Sequence, residues 1–473
     1  SVTRRGVFAA LGLAGGAFVA PRVVLCDAAG LPGSVATVAV QLGESLAAAI
    51  ARAAARSPCL YLPPGEYLVR EPVSIPSGTT LFGAGPRTVL RLADDSGAQA
   101  EMVLRDVEQI TVRDLVLKGS AVQGANTVET RRAHGIQASG LKRFAFENLD
   151  IRDFPGRGVN LWGGSKEGVI RNCRVTRSGD RGIVLGGAAH CIVEGSVAAE
   201  NGAHGIWLLS GAEHVTVMNN HCHDNRSVGI EVFKDCEACV VAYNRVARNT
   251  LGIHCFTVRR SLLLGNVLER NRSNGIDCNH CNQMRIIGNH SEFNGSPRTE
   301  ANQVEGCGIL LYRTSDSLVL GNVCINNDQG HSLRSGIQLM DEGEDGALCA
   351  RNVVVGNVCL DDQDKPTQQV AMRIGNPKSR CPDNLVVANG LGRHPQGPFG
   401  GNRRGALNAA HNGSGEHEEV HSPMPPRLPR LGQLPPTSEP WHGRVVLVAR
   451  DQTEVAYLCR RDAGVLRWVE MKL

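Results

Sequence analysis

From residue 135 onward a glycine followed by Ile or Val returns at Gly135, Gly158, Gly182, Gly205, Gly229, Gly252, Gly275, Gly308 and Gly336, at spacings of 23, 24, 23, 24, 23, 23, 33 and 28. Each opens an alternating run, as in Gly205-Ile206-Trp207-Leu208 and Gly229-Ile230-Glu231-Val232, which predicts a strand with one apolar face. A second apolar run follows in each unit, as in Cys191-Ile192-Val193, Val240-Val241-Ala242 and Leu262-Leu263-Leu264. Then comes an asparagine turn, marked by Asn172, Asn220, Asn244, Asn266, Asn289 and Asn322, and a third short run ending near Asn201, Asn225, Asn249, Asn271, Asn294 or Asn327. Three short strands and three turns at a fixed period describe one coil of a β-solenoid. Asn suits its corners because it tolerates a left-handed backbone, and because its amide can bond to the next Asn in a stack.

Upstream, Gly43 to Arg56 reads as an amphipathic helix with Leu46, Ile50 and Ala53 on one face. It leads into Pro63-Pro64-Gly65-Glu66-Tyr67 and Ser77-Gly78-Thr79-Thr80-Leu81-Phe82-Gly83-Ala84-Gly85. With the repeats, this entry segment resembles the pectate-lyase-like superfamily. The resemblance implies an all-β fold, a right-handed parallel β-helix, whose N-terminal helix caps the open end of the stack and shields its strand edges.

The chain opens Ser1-Val2-Thr3-Arg4-Arg5-Gly6-Val7-Phe8 and runs uncharged to Ala20. Such a run is too short to span a bilayer as a helix, and the arginine pair resembles a twin-arginine signal over residues 1–29. Taken together, the chain resembles twin-arginine-exported β-helix repeat proteins of bacteria, a family without an established function. The resemblance implies a periplasmic or secreted protein, contact with the twin-arginine translocase during export, and no stable membrane span in the mature chain. The expected organisation is the signal at 1–29, a cap and first coils at 30–100, repeats at 101–395, a Pro- and His-rich linker at 396–440 and a small β segment at 441–473. In that last segment Arg444–Val448, Val455–Cys459 and Leu466–Val469 read as strands.

Composition narrows the reading. The 473 residues are 42% hydrophobic and 20% charged, which excludes disorder, and the 55 glycines follow no three-residue period, which excludes collagen. Only 4% are aromatic, so the core must be built from Ile, Val, Leu and Cys. A net charge of +4 with no visibly basic face gives no reason to expect nucleic acid.

In a solenoid, one register of successive coils stacks at the strand spacing of about 4.8 Å, so sequence alignment becomes a surface row. Two residues past each glycine the outward position reads Gln137, Asn160, Val184, Trp207, Glu231, His254, Asp277, Leu310 and Gln338. Five past it come Lys234, Thr257, His280 and Arg313, and one before it His204. Glu231, His254 and Asp277 are the candidate catalytic residues. His204, Trp207, Lys234, Phe256, His280, Tyr312 and Arg313 are the candidate substrate contacts, and Phe233 adds a further aromatic.

Two carboxylates two coils apart leave room for a water between them, as an inverting glycosidase requires. Both would also favour a protonated His254, hence an acid or substrate-orienting role. A lyase or C5-epimerase instead needs a base beside the sugar C5 proton and a cation on the uronate carboxylate. His254 or His280 would serve as base, Lys234 or Arg313 as the cation and Tyr312 as acid. The sequence has neither the Asp-Pro-His tripeptide of alginate epimerases nor a clear calcium constellation.

Cys236-Glu237-Ala238-Cys239, Cys278-Asn279-His280-Cys281 and His221-Cys222-His223 invite a zinc reading, but Cys255 and Cys278 share an inward register that suits a buried cysteine column. No cofactor is expected, with Ca²⁺ and Zn²⁺ left open as metals these side chains could take. The ten extra residues after Gly295 are expected to wall the groove. The leading reading is an exported protein that binds, and cleaves or epimerises, a polysaccharide. The alternative is a non-catalytic surface or envelope solenoid that serves as a binding scaffold.

Overall fold

The computed structural model describes residues 35–96, 98–120, 133–295, 306–328, 335–341, 348–375, 381–392 and 394–401, together with the strand backbones at 406–407, 430–431, 445–450, 453–462 and 465–471. Three sheets of 15, 13 and 12 strands run the length of the stack, and within them every pairing is parallel. Each coil gives one strand to each sheet in a fixed order. Ile206–Leu209 lies in the third sheet, Thr216–Met218 in the first and His221–His223 in the second, before Val228–Phe233 returns to the third.

The inward positions stack like with like. Ile206 lies opposite Ile230, Ile230 opposite Ile253 and Ile253 opposite Ile276, all fully buried. Burying each such side chain contributes about 1.5–3 kcal/mol before chain entropy is counted. Cys255 and Cys278 face each other in this interior, and all fourteen cysteines among the described residues are free and buried. Burial pushes the Cys173 thiol up to about 12, so at neutral pH it packs as a small apolar group.

The repeated glycine is explained by space. A Cβ on Gly205 would come 2.6 Å from the Gly229 carbonyl oxygen and 2.9 Å from Asn225 Nδ2, leaving no room for any side chain. The asparagines form two long ladders. Asn201, Asn225, Asn249, Asn271 and Asn294 each pass an amide N–H to the next Oδ1 at 2.9–3.2 Å, the run ending at Asn327. A second run from Asn220 through Asn244, Asn266, Asn289, Asn322 and Asn357 to Asn389 does the same at 2.9–3.0 Å.

The left-handed backbone, however, belongs to the residue before each ladder asparagine. Asn219, Tyr243, Gly265, Gly288 and Gly321 carry it in one ladder, and Glu200, Asp224, Arg248, Arg270 and Phe293 in the other. Asn172, read from sequence with the ladder residues, is itself left-handed, with φ 53°. The ladder side chain must turn inward to reach its neighbours, so the bend is made one residue earlier.

Helix α1 (Leu46–Ala54) is capped by Ser45, whose Oγ accepts from the Ala48 N–H, and it buries Leu46, Ala49, Ile50 and Ala53 against the first strands. At the other end the stack runs past residue 395, with Phe399–Gly401 added to the third sheet and Ala406–Leu407 to the first. Both strands are short, three and two residues, and the first is mostly glycine, so they carry little alternation to read. Val445–Arg450, Thr453–Asp462 and Val465–Met471 form an antiparallel meander. The expected signal at 1–29, most of the expected linker and residues 296–305 of the insertion lie outside the described residues. Among the described residues no helix is long and apolar enough to cross a membrane.

Candidate functional site

The third sheet carries the row. Its register runs Gln137, Asn160, Val184, Trp207, Glu231, His254, Asp277, Leu310, Gln338, coil by coil. Alternation turns these side chains away from the core, yet Glu231 is only 7% exposed, so neighbouring side chains shelter the row.

Glu231 lies between two histidines. His204 Nε2 is 3.1 Å from its Oε2, and His254 Nδ1 is 2.9 Å from its Oε1. Their surroundings shift the two rings in opposite directions. His204 Nδ1 accepts from the Val228 N–H at 3.3 Å, so its single proton sits on Nε2, the nitrogen nearer Glu231. Burial, with Arg181 and His254 adding to it, pushes its pKa down to about 4, and the ring is neutral. Burial also opposes charge on His254, but the Glu231 hydrogen bond and the charges of Asp277 and Glu231 outweigh it and raise its pKa above the ordinary histidine value. That is the direction expected from its two flanking carboxylates. Among the described residues nothing hydrogen-bonds His254 Nε2.

Asp277 is oriented by Asn274, whose Nδ2 donates to Oδ2 at 2.9 Å while its Oδ1 accepts from the Cys307 N–H at 2.9 Å. Asn274 occupies the position one before the glycine, the register already known from His204. Read across all coils, that register is His134, Arg157, Arg181 and His204 in consecutive units, a basic row of which only His204 was singled out from sequence.

A second line of side chains runs beside the first, four and five past each glycine. Phe233 and Phe256 stack at 5.3 Å, Trp207 approaches Phe233 at 6.3 Å, and His280 lies 5.6 Å from Phe256 and 6.0 Å from Tyr312. Lys234, Thr257, His280 and Arg313 all take a left-handed backbone as the strands end. Both nitrogens of His280 are engaged, Nδ1 with Asn279 Oδ1 at 2.6 Å and Nε2 with Arg313 Nη1 at 3.3 Å. His280 therefore holds Arg313, which also covers the Tyr312 ring at 5.2 Å, and offers no nitrogen as a base. Lys234 is exposed at the rim.

The structure thus gathers all ten candidate residues on one sheet face and its edge, and separates their capacities. Glu231 Oε1 is hydrogen-bonded to His254 and Oε2 lies in close contact with His204, whereas His254 presents an open nitrogen whose pKa its carboxylate neighbours raise. No group of three or more His, Cys, Asp or Glu side chains arranged for a metal occurs among the described residues.

A family model for right-handed beta helix regions matches residues 105–212 and, in an overlapping match, 157–301. The chain is 31% identical over 93 residues to a mannuronan C5-epimerase of Pseudomonas putida, a match that covers 20% of this chain and 18% of that protein. The chain thus spans less than a fifth of that relative's length. Among solved structures, the A-module of mannuronan C-5 epimerase AlgE4 of Azotobacter vinelandii superposes with a TM-score of 0.51 at 18% identity, over 80% of this chain and 96% of that one. The Dettilon tailspike protein gp208 superposes with a TM-score of 0.56 at 17% identity, over 72% and 68%. The chain is a right-handed parallel β-helix.

Proposed function

We propose that this protein is exported and modifies a polyuronate along the third-sheet row by removing the proton at C5 of the sugar. The observation that carries the reading is the bonding of Glu231 and His254. Glu231 accepts the Nδ1 proton of His254 and leaves Nε2 open above the row. In its neutral form that nitrogen takes the C5 proton, and Glu231 steadies the imidazolium that forms. The electron pair left at C5 moves into the sugar carboxylate, whose charge Arg313 or Lys234 offsets. Delivery of a proton from Tyr312 to the opposite face gives the epimer, and departure of the C4 oxygen, protonated by Tyr312 as its bond breaks, gives an unsaturated sugar. Phe233, Phe256 and Trp207 supply faces for sugar rings.

The partial match to a mannuronan C5-epimerase supports this class of substrate. The hydrolase reading is weaker, because Glu231 Oε1 is bound to His254 and Oε2 lies only 3.1 Å from His204 Nε2. Export is supported by the resemblance of residues 1–29 to a twin-arginine signal.

The test is a panel of mannuronan, alginate, polygalacturonate and a neutral glucan. Proton NMR follows epimerisation, ultraviolet absorbance follows unsaturated ends, and a reducing-end assay follows hydrolysis. Epimer or unsaturated product from a polyuronate supports the reading. Binding without turnover would leave the solenoid as a scaffold, and new saturated reducing ends would restore the hydrolase.

A further inference from the structure

Towards the N-terminal end of the row from His254, two arginines share one acid. Arg157 Nε is 2.9 Å from Asp180 Oδ2, and Arg181 Nη1 lies 2.7 and 2.9 Å from the two Asp180 oxygens. The trio carries one excess positive charge. His134 and His204 on either side, each held near a pKa of about 4 chiefly by burial, add none at neutral pH.

The arginines are also laid on aromatic faces. Arg181 Cζ sits 4.0 Å from the Trp207 ring centre, and Arg157 Cζ is 5.9 Å from the rings of both Trp162 and Trp207. Asn160 ties the group to the row, accepting from Arg157 Nη1 at 2.7 Å and from Trp162 Nε1 at 2.6 Å. Two donors remain unmet. Arg181 Nε and Trp207 Nε1 are buried and have no hydrogen-bond partner among the described residues. One carboxylate shared between two arginines leaves guanidinium donors to spare at the aromatic face.

We infer that Arg157, Arg181, Trp162 and Trp207 form a second sugar site, selective for a carboxylate-bearing residue of the same chain that reacts at His254. Arg181 and His254 belong to coils three steps apart, about 14 Å at the strand spacing. That separation places the site several sugars from the reacting one in an extended polysaccharide. The guanidiniums would exchange part of their contact with Asp180 for the uronate carboxylate, while the sugar face lies against indole. The site sets a minimum chain length and a preference for charge away from the reacting sugar. It rests on the polyuronate reading of the row.

The experiment measures binding of short and long mannuronan oligomers, and of a neutral glucan, to the full chain and to Arg181→Gln and Asp180→Asn variants. Arg181→Gln should weaken binding of long mannuronan about tenfold, the loss of one charge-assisted contact, and leave short oligomers and glucan unchanged. Asp180→Asn frees both arginines and should tighten long mannuronan, an opposite sign that loss of folding cannot mimic. Unchanged long-chain binding in both variants, or equal weakening for glucan and mannuronan, overturns the site while leaving the reaction at His254 intact. Failure of the unaltered chain to bind any polyuronate overturns both.

Discussion

His254 Nδ1 lies 2.9 Å from Glu231 Oε1, across two strands paired in register, so one coil supplies the ring and the preceding coil fixes its tautomer. This arrangement makes Glu231 a positioning residue. In Glu231→Gln the tautomer is no longer enforced and the imidazolium loses its partner. Turnover should fall by about 10²–10⁴, the usual worth of a general base. The acidic limb of the pH profile should also move to lower pH, a shift that a purely structural defect would not produce.

Asp277 acts on the same ring through its charge alone. His254 accepts a proton only when neutral, and its pKa is raised, so activity should disappear as pH falls through a value above the ordinary histidine range. Asp277→Asn removes one of the charges that favour the imidazolium. The acidic limb should therefore shift downward, with more activity kept at low pH, as initial rates across a pH series would show.

The ladder asparagines are a stability feature. Asn249 Nδ2 bonds Asn271 Oδ1 at 3.2 Å and the Cys222 carbonyl at 3.1 Å, and its own Oδ1 accepts from Asn225. Asn249→Ala leaves buried partners unmet and should cost about 1–3 kcal/mol, read as a lower denaturation midpoint. Gly205→Ala should cost a similar amount by overpacking against the Gly229 carbonyl.

The cysteine column should be chemically silent. Cys255 and Cys278 are fully buried and their thiols are pushed upward, the pair interacting with each other. A thiol reagent followed by peptide mapping should label neither until denaturant is added.

Much of this was legible because a repeat converts sequence position into spatial position. The row from Gln137 to Gln338, the inward pair Cys255 and Cys278, and the asparagine ladders all follow from counting residues from each glycine. What counting cannot reveal is which atoms are already engaged. His204, His254 and His280 look alike in sequence, and only geometry shows that His280 has both nitrogens hydrogen-bonded while His254 leaves Nε2 open. Arg157 and Arg181 share the register of His204, one residue before Gly158 and Gly182, but their contact with Asp180 is visible only in three dimensions. The left-handed residues before the ladder asparagines escaped because Tyr243, Arg248 and Glu200 carry no turn signal of their own.

The central claim is that His254 removes the C5 proton of a uronate. A polyuronate carrying deuterium at C5, incubated in ordinary water, tests it directly. The unaltered protein should release the label to solvent, and His254→Ala should release none while still binding the chain. Retention of the label by the unaltered protein with the polymer bound, or equal release by the variant, would contradict the account.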